Sequence, residues 1–132
     1  MALKAKATNQ LKKVNGSYYG VLTEISIVEE RQVGEKVFSE QFVFNFECVG
    51  TKLQINLKVY TCRTFGRLLD SNEFNSLAKL LIYLGAIDPK TDFNDLEDLD
   101  LESLIGTKIT FSTIKKGIFD TIAVDSIVVV QD

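Results

Sequence analysis

Residues that could carry out catalysis are scarce in this chain. The sequence has no histidine, which removes the commonest acid–base group at neutral pH and the usual partner in zinc sites and catalytic triads. It contains neither G-x-x-x-x-G-K-[ST] nor G-x-G-x-x-G, the glycine-rich patterns that cradle phosphates. Neither Cys48 nor Cys62 has an activating neighbour in the sequence. We therefore expect no enzyme, no catalytic residue and no cofactor.

An acidic run within residues 88–102 is the candidate for metal binding. As a calcium loop starting at Asp92, it places Glu97 where glycine is needed and Ser103 where a bidentate glutamate belongs. The pattern fails, so we predict no metal site. We interpret the run as a solvated acidic loop with helix-capping aspartates. The alternatives are that it docks a basic partner, shields a basic face when no ligand is bound, or serves a metal-dependent nuclease.

A polar face on a predicted strand has the composition of a binding surface. Its members share one parity of the alternating stretch 52–60, and they are Lys52, Gln54, Asn56, Lys58 and Tyr60. Cations follow a phosphate backbone, while aromatic rings stack on bases. An amphipathic strand also presents such side chains to water when it binds nothing, so both interpretations stay open.

A hairpin must position this face. Residues 38–63 alternate on both sides of a turn at Val49-Gly50-Thr51, which predicts two strands with one packed face and one exposed face. The side chains predicted to pack are Phe38, Phe42, Phe44 and Phe46, then Leu53, Ile55, Leu57 and Val59.

The remaining elements complete an order of three strands, one helix and two strands. The first strand covers residues 18–30, with a bend or close approach at Gly20; Tyr19, Val21, Ile25 and Ile27 share one parity, and Tyr18 lies on the outer parity. A charged loop covers 29–36. A helix capped by Ser71 or Asn72 ends at Gly85, a short helix covers 101–105, and strands cover 108–114 and 121–130. This order predicts an all-β chain with one or two short helices, a five-stranded OB-fold barrel with its helix between strands 3 and 4.

OB-folds bind ligands across strands 2 and 3, flanked by the loops that join strands 1–2 and 4–5. Those loops supply Arg31 and Lys36, then Lys115, Lys116 and Phe119. We predict that the cations contact phosphates and that Tyr60, Tyr18 and Phe119 stack on bases. Each ring has an alternative role in the core or in an oligomer contact. The apolar last strand predicts a homo-oligomer, a dimer or a tetramer.

Composition fits one ordinary domain. The chain has 132 residues, 45% of them hydrophobic and 25% charged, and its net charge of −3 argues against coating duplex DNA by bulk charge. Residues 1–15 carry four lysines and no acid, which predicts a flexible basic arm before a single domain at 16–132. The arm is either a solvated terminus or a phosphate contact. Cys48 should face inward and Cys62 outward, which disfavours a disulfide. Without a secretory signal or a membrane span, we expect a cytoplasmic protein.

The stretch from the helix into the fourth strand resembles a known family. LAKLLIYLGA, an acidic linker and DLDLESLIGTKITF are similar to the small OB-fold single-stranded-DNA-binding proteins encoded by bacteriophages. The resemblance implies sequence-independent binding that protects single strands during phage replication or recombination in the host cytoplasm, with replication or recombination proteins as further partners. RNA is an alternative ligand. The rival function is a phage protein–protein interaction or structural OB module that binds no nucleic acid.

Overall fold

The computed structural model describes residues 3, 5, 8–68, 71–90 and 99–131 of the chain. Ten strands and one α-helix lie within them. The strands are β1 (Lys13–Val14), β2 (Ser17–Val28), β3 (Arg31–Val33), β4 (Lys36–Phe38), β5 (Gln41–Cys48), β6 (Ile55–Thr61), β7 (Lys108–Phe111), β8 (Thr113–Lys116), β9 (Phe119–Ile122) and β10 (Val128–Val129). The helix α1 spans Ser76–Tyr83, and short 3-10 helices occupy Leu101–Leu104 and Val124–Ser126.

The main sheet is open. Its hydrogen-bonded order is β10-β7-β2-β5-β6, with β1 added beside β2, while β3–β4 and β8–β9 form separate hairpins. The prediction of a mostly β chain with a helix after the third long strand is confirmed. The predicted five-stranded OB-fold barrel is not confirmed: the described strands form open sheets, and β9 packs against β6 without joining its hydrogen-bonded ladder.

The β5–β6 hairpin divides its side chains between core and solvent as the alternation predicts. Phe44 pairs with Val59 and Phe46 pairs with Leu57, and these residues face the core cluster. Two of the side chains predicted to pack do not, because the strands are shorter than expected. Phe38 belongs to the separate strand β4, and Leu53 is 74% exposed in the connection 49–54.

A β-bulge near Thr23 changes which side chains of β2 face the core. The pairing with β5 slips between Leu22 and Glu24, so Leu22 and Ile25 both lie opposite core phenylalanines. One extra residue reverses the inside–outside alternation on one side of the bulge. The single parity predicted for the whole strand is therefore wrong in its first half, where Tyr18 lies on the core side. The predicted close approach at Gly20 is confirmed, since a Cβ there would lie 3.0 Å from the Cys48 sulfur.

Two segments fold differently from the sequence prediction. The charged loop 29–36 contains most of a hairpin, β3–β4, which turns at Gly34 with a positive φ of 63°. The predicted strand 121–130 is interrupted by the 3-10 helix Val124–Ser126, where the Ser126 hydroxyl donates to the Ala123 carbonyl at 2.6 Å. This interruption leaves β9 with β8 and β10 with β7.

Helix α1 begins later than predicted. Asn75, not Ser71 or Asn72, is its N-cap, and the Asn75 Oδ1 accepts from the Ala78 amide at 2.9 Å. The Asn75 Nδ2 also donates to the Thr64 carbonyl, which fastens the start of the helix to the chain after β6. Gly85 follows the helix with a positive φ of 81°, as a C-terminal glycine should. The buried side of the helix comprises Leu77, Ala78, Leu80 and Leu81.

Part of the predicted basic arm is hydrogen-bonded to the sheet. β1 pairs with β2, and the Lys12 amide donates to the Val49 carbonyl at 2.9 Å. The Asn9 Oδ1 accepts from the amides of Lys52 and Leu53, at 3.0 and 3.2 Å. Residues 9–14 therefore hold the β5–β6 connection in place. No helix in the described ranges is long and apolar enough to cross a membrane.

Candidate nucleic-acid interface

The exposed side of β6 carries the polar residues that the sequence singled out. Asn56, Lys58 and Tyr60 are exposed, whereas Val59 and Thr61 are buried on the other side of the strand. This division follows from the two-residue period of a strand with one packed face.

A groove of about 610 Å³ opens along this strand. Its walls come from β6, the first turns of α1 and the β8–β9 hairpin. The lining residues are 56–61, Ser76, Lys79, Lys116, residues 119–122 and Val124. Five of the predicted site residues meet here: Asn56, Lys58, Tyr60, Lys116 and Phe119.

The groove is cationic. Among the described lining residues, Lys58, Lys79 and Lys116 stand against a single acid, Asp120. The ion pair found among the described residues joins Arg63 to Glu40, so none of the three lysines is paired with a described acid. Their ammonium groups can therefore meet an incoming anion without first breaking such a pair.

Two aromatic rings line the same groove. Tyr60 is 41% exposed and Phe119 is 72% exposed, so each ring offers apolar surface to the solvent. The Arg31 guanidinium carbon lies 5.1 Å from the centre of the Tyr60 ring and 5.6 Å from that of Phe38. Arg31 thus connects the β3–β4 hairpin to Tyr60 of the groove by a cation–π contact.

Side-chain hydrogen bonds hold Asn56 in place at one end of the groove. The Asn45 Nδ2 donates to the Asn56 Oδ1 and to the Thr23 Oγ1, each at 3.0 Å. The contacts cross β2, β5 and β6 in sequence. Because the Asn56 oxygen accepts this bond, its amide nitrogen is the group left to donate to a ligand.

The edge of β6 lies open to the groove. In the described part of the sheet β6 is the end strand of the ladder, and the Thr121 hydroxyl donates to the Lys58 carbonyl at 3.5 Å across the gap to β9. Peptide groups on a strand point alternately to its two edges, so Asn56 and Tyr60 direct theirs to the same side as Lys58. The groove therefore offers backbone donors and acceptors beside its cations and rings.

The other predicted site residues lie outside this groove. Lys52 and Gln54 are exposed in the β5–β6 connection, and Lys36 is exposed on β4. Lys115 lies opposite Asp120 of β9 in the register of the hairpin. Because successive strand residues point to opposite faces, its side chain lies on the other face from that of Lys116.

Tyr18 also lies elsewhere. Its ring centre is 5.9 Å from that of Phe111, and the Lys13 ammonium lies 5.5 Å above it, beside a separate polar pocket. The structure therefore does not bring Tyr18 to Tyr60 and Phe119.

Sequence reasoning missed the contribution of α1. Ser76 and Lys79 reach the groove because the Ser76 Oγ accepts from the Cys62 amide at 3.0 Å, which holds the start of the helix against the end of β6. The available signal was the polar stripe that Ser76 and Lys79 form at helical spacing opposite the apolar side.

Cys48 is an unreactive thiol, and the acids of the described ranges form no metal-binding cluster. Burial raises the pKa of the Cys48 thiol to about 12, which keeps it protonated and unreactive at neutral pH. No three His, Cys, Asp or Glu side chains of the described ranges gather as metal ligands. Most of the acidic run, residues 91–98, lies outside the described residues; Asp100 caps the 3-10 helix at Leu101 by accepting from the Glu102 amide.

No known protein family, curated protein or solved structure matches the chain.

Proposed function

We propose that this protein binds single-stranded DNA without sequence preference, through the groove along β6. The observation that carries the proposal is the meeting of three lysines with Tyr60 and Phe119 on one open surface. Cations beside exposed rings are the combination that follows a phosphate backbone and stacks its bases. In this proposal the groove covers the bound strand and thereby protects it.

The strand order supports an OB-fold as the scaffold. Three long antiparallel strands precede the helix, and the last hairpin returns beside the third of them. This order is consistent with a partly open OB barrel, whose ligand face lies across strands 2 and 3. Strand 3 of that order corresponds to β6, which lines the groove. Together with the helix-to-strand sequence motif, it supports a phage protein of replication or recombination in the host cytoplasm.

A fluorescence titration with a labelled oligonucleotide tests the proposal. Binding should weaken linearly with the logarithm of salt concentration, with a slope of about −0.7 per neutralised phosphate. Unlabelled duplex should compete poorly, and an RNA competitor distinguishes the two single strands. Affinity that is indifferent to salt, or equal for duplex, would reject the proposal.

Tyr60 provides the sharpest variant. Tyr60→Ala should weaken binding by about 1–3 kcal/mol, the contribution of one stacked base, while Tyr60→Phe keeps the ring and most of the affinity. Thermal unfolding of both variants controls for stability.

A protein-binding OB module is the alternative, and the hairpin tips favour it. Ile118 is 88% exposed, and Val33 and Val37 are exposed on β3–β4. At the sheet edge, Val128 of β10 is 62% exposed and offers a contact for a second copy. Light scattering with and without oligonucleotide separates self-association from binding; an oligomer that binds no strand would favour the alternative.

A further inference from the structure

A second groove adjoins the first across helix α1. Its volume is about 480 Å³, and its walls are Glu73, Phe74, Lys79, Ile82, Tyr83 and Pro89. Lys79 lines both grooves. The two cavities therefore share a wall, with a cation at the boundary.

One side of α1, exposed at Ser76 and Lys79 and half-buried at Tyr83, connects the two grooves. Ser76, Lys79 and Tyr83 are spaced by three and four residues and so lie on one side of the helix. Ser76 lines the first groove, Lys79 both and Tyr83 the second. Seven residues of helix separate the two ends of this stripe by about 10 Å. A chain that leaves the first groove at Ser76 can follow the stripe into the second.

The second groove repeats the chemistry of the first. The Tyr83 ring is half-buried, and the walls include Phe74 and Ile82. The Arg67 guanidinium carbon lies 4.1 Å from the centre of the Phe74 ring, so a second cation lies against one of the rings of this groove. Apolar ring surface bounded by cations suits bases and phosphates. Among the described lining residues, Glu73 is the one acid, and its charge opposes a phosphate there.

We propose that the second groove extends the nucleic-acid path, with Lys79 contacting the phosphate between the two grooves and Tyr83 stacking a base of the next nucleotides. This inference rests on the proposed function of the first groove. It adds a length dependence, because short strands fill the first groove alone and longer strands reach both.

Oligothymidylates of increasing length, from about 4 to 16 nucleotides, test the extension. Affinity for the wild-type protein should rise with length. Tyr83→Ala should leave the shortest strand unchanged and lose about tenfold in affinity for the longest, while Tyr83→Phe behaves as wild type. Equal length dependence in Tyr83→Ala and wild type would overturn the extension, as would an equal loss at every length.

Glu73→Gln should change the affinity in the opposite direction from Tyr83→Ala. It leaves no cavity, because glutamine has nearly the same size as glutamate. Removing this charge should tighten the longest strand about two- to threefold and leave the shortest unchanged. An unchanged long strand would count against the extension. If the wild-type protein binds no strand of any length, the proposed function fails as well; if it binds and only these length effects are absent, the extension alone fails.

Discussion

The two hairpins that flank the groove carry the same kind of residue pair and use it differently. On β3–β4, Arg31 lies opposite Phe38; on β8–β9, Lys116 lies opposite Phe119. Arg31 covers the rings of Phe38 and Tyr60. Lys116 and Phe119 both line the groove, and the Phe119 ring is largely exposed.

The cation of β3–β4 packs on aromatic rings, whereas the cation of β8–β9 lines the groove. A guanidinium is planar and weakly hydrated, so it lies flat on rings, whereas an ammonium is a compact and strongly hydrated charge. Arg31 therefore packs against the Tyr60 ring, and under the proposed function Lys116 and Phe119 contact the ligand. A cation and a phenylalanine that lie opposite each other in a hairpin therefore do not have a fixed role. Their role depends on the surface against which the hairpin packs.

Phe119→Ala should have the largest effect on binding. Losing the stacking ring should weaken single-strand affinity by about 1–3 kcal/mol. The free energy of unfolding should stay nearly unchanged, because the ring is exposed. The control is Ile118→Ala, a still more exposed apolar neighbour that is not among the described lining residues of the groove. Equal losses for the two variants would mean that hairpin hydrophobicity, not the ring, controls binding.

Lys116→Ala should have the next largest effect, measured against Lys115→Ala. Lys116 lines the groove and Lys115 points to the other side of the hairpin. The slope of log affinity against log salt should fall in magnitude by about 0.7 for Lys116→Ala and stay constant for Lys115→Ala. A matching change in both slopes would show that the hairpin contributes by net charge alone.

Arg31→Lys tests the cation–π contacts of Arg31 with Phe38 and Tyr60. It keeps the charge and removes the planar contact with the rings, so affinity should fall by about 0.5–1 kcal/mol with the salt slope unchanged. Arg31→Ala should give a similar loss. Should lysine restore full affinity while alanine lowers the slope, Arg31 contacts a phosphate, as the sequence predicted.

Lys36→Ala should have the smallest effect. Lys36 is exposed on β4, and it is not part of the groove lining. We expect affinity and unfolding free energy to change by less than about 0.5 kcal/mol. A clear loss of affinity in the same titration would mean that the ligand path crosses the β3–β4 hairpin.

The sequence was most informative where one strand faces both core and solvent. The alternation of β5 and β6 predicted the burial of Phe44 and Phe46 and the exposure of Lys58 and Tyr60, because a half-buried strand must repeat every two residues. It failed on β2, since a bulge adds one residue without a local sequence mark. That residue puts Tyr18 on the core side.

The site was harder to predict because its parts come from distant segments. The strand pattern places Tyr60 correctly, but the contact with Arg31 depends on how a hairpin folds over the sheet. Lys79 reaches the groove only because the capped helix is held against the end of β6. Local periodicity carries no information about such long-range packing. For the same reason it did not predict that β8 and β9 form a separate hairpin while β10 pairs with β7.

In the described structure no backbone ladder joins β6 to β9, and the Thr121 hydroxyl donates to the Lys58 carbonyl across the gap. The hairpin is anchored by Ile122 of β9, which is buried in the core cluster, while Phe119 at the other end of β9 is exposed. Under the proposed function, the wall of the slot nearest the hairpin turn is therefore the part that meets purines and pyrimidines of different width.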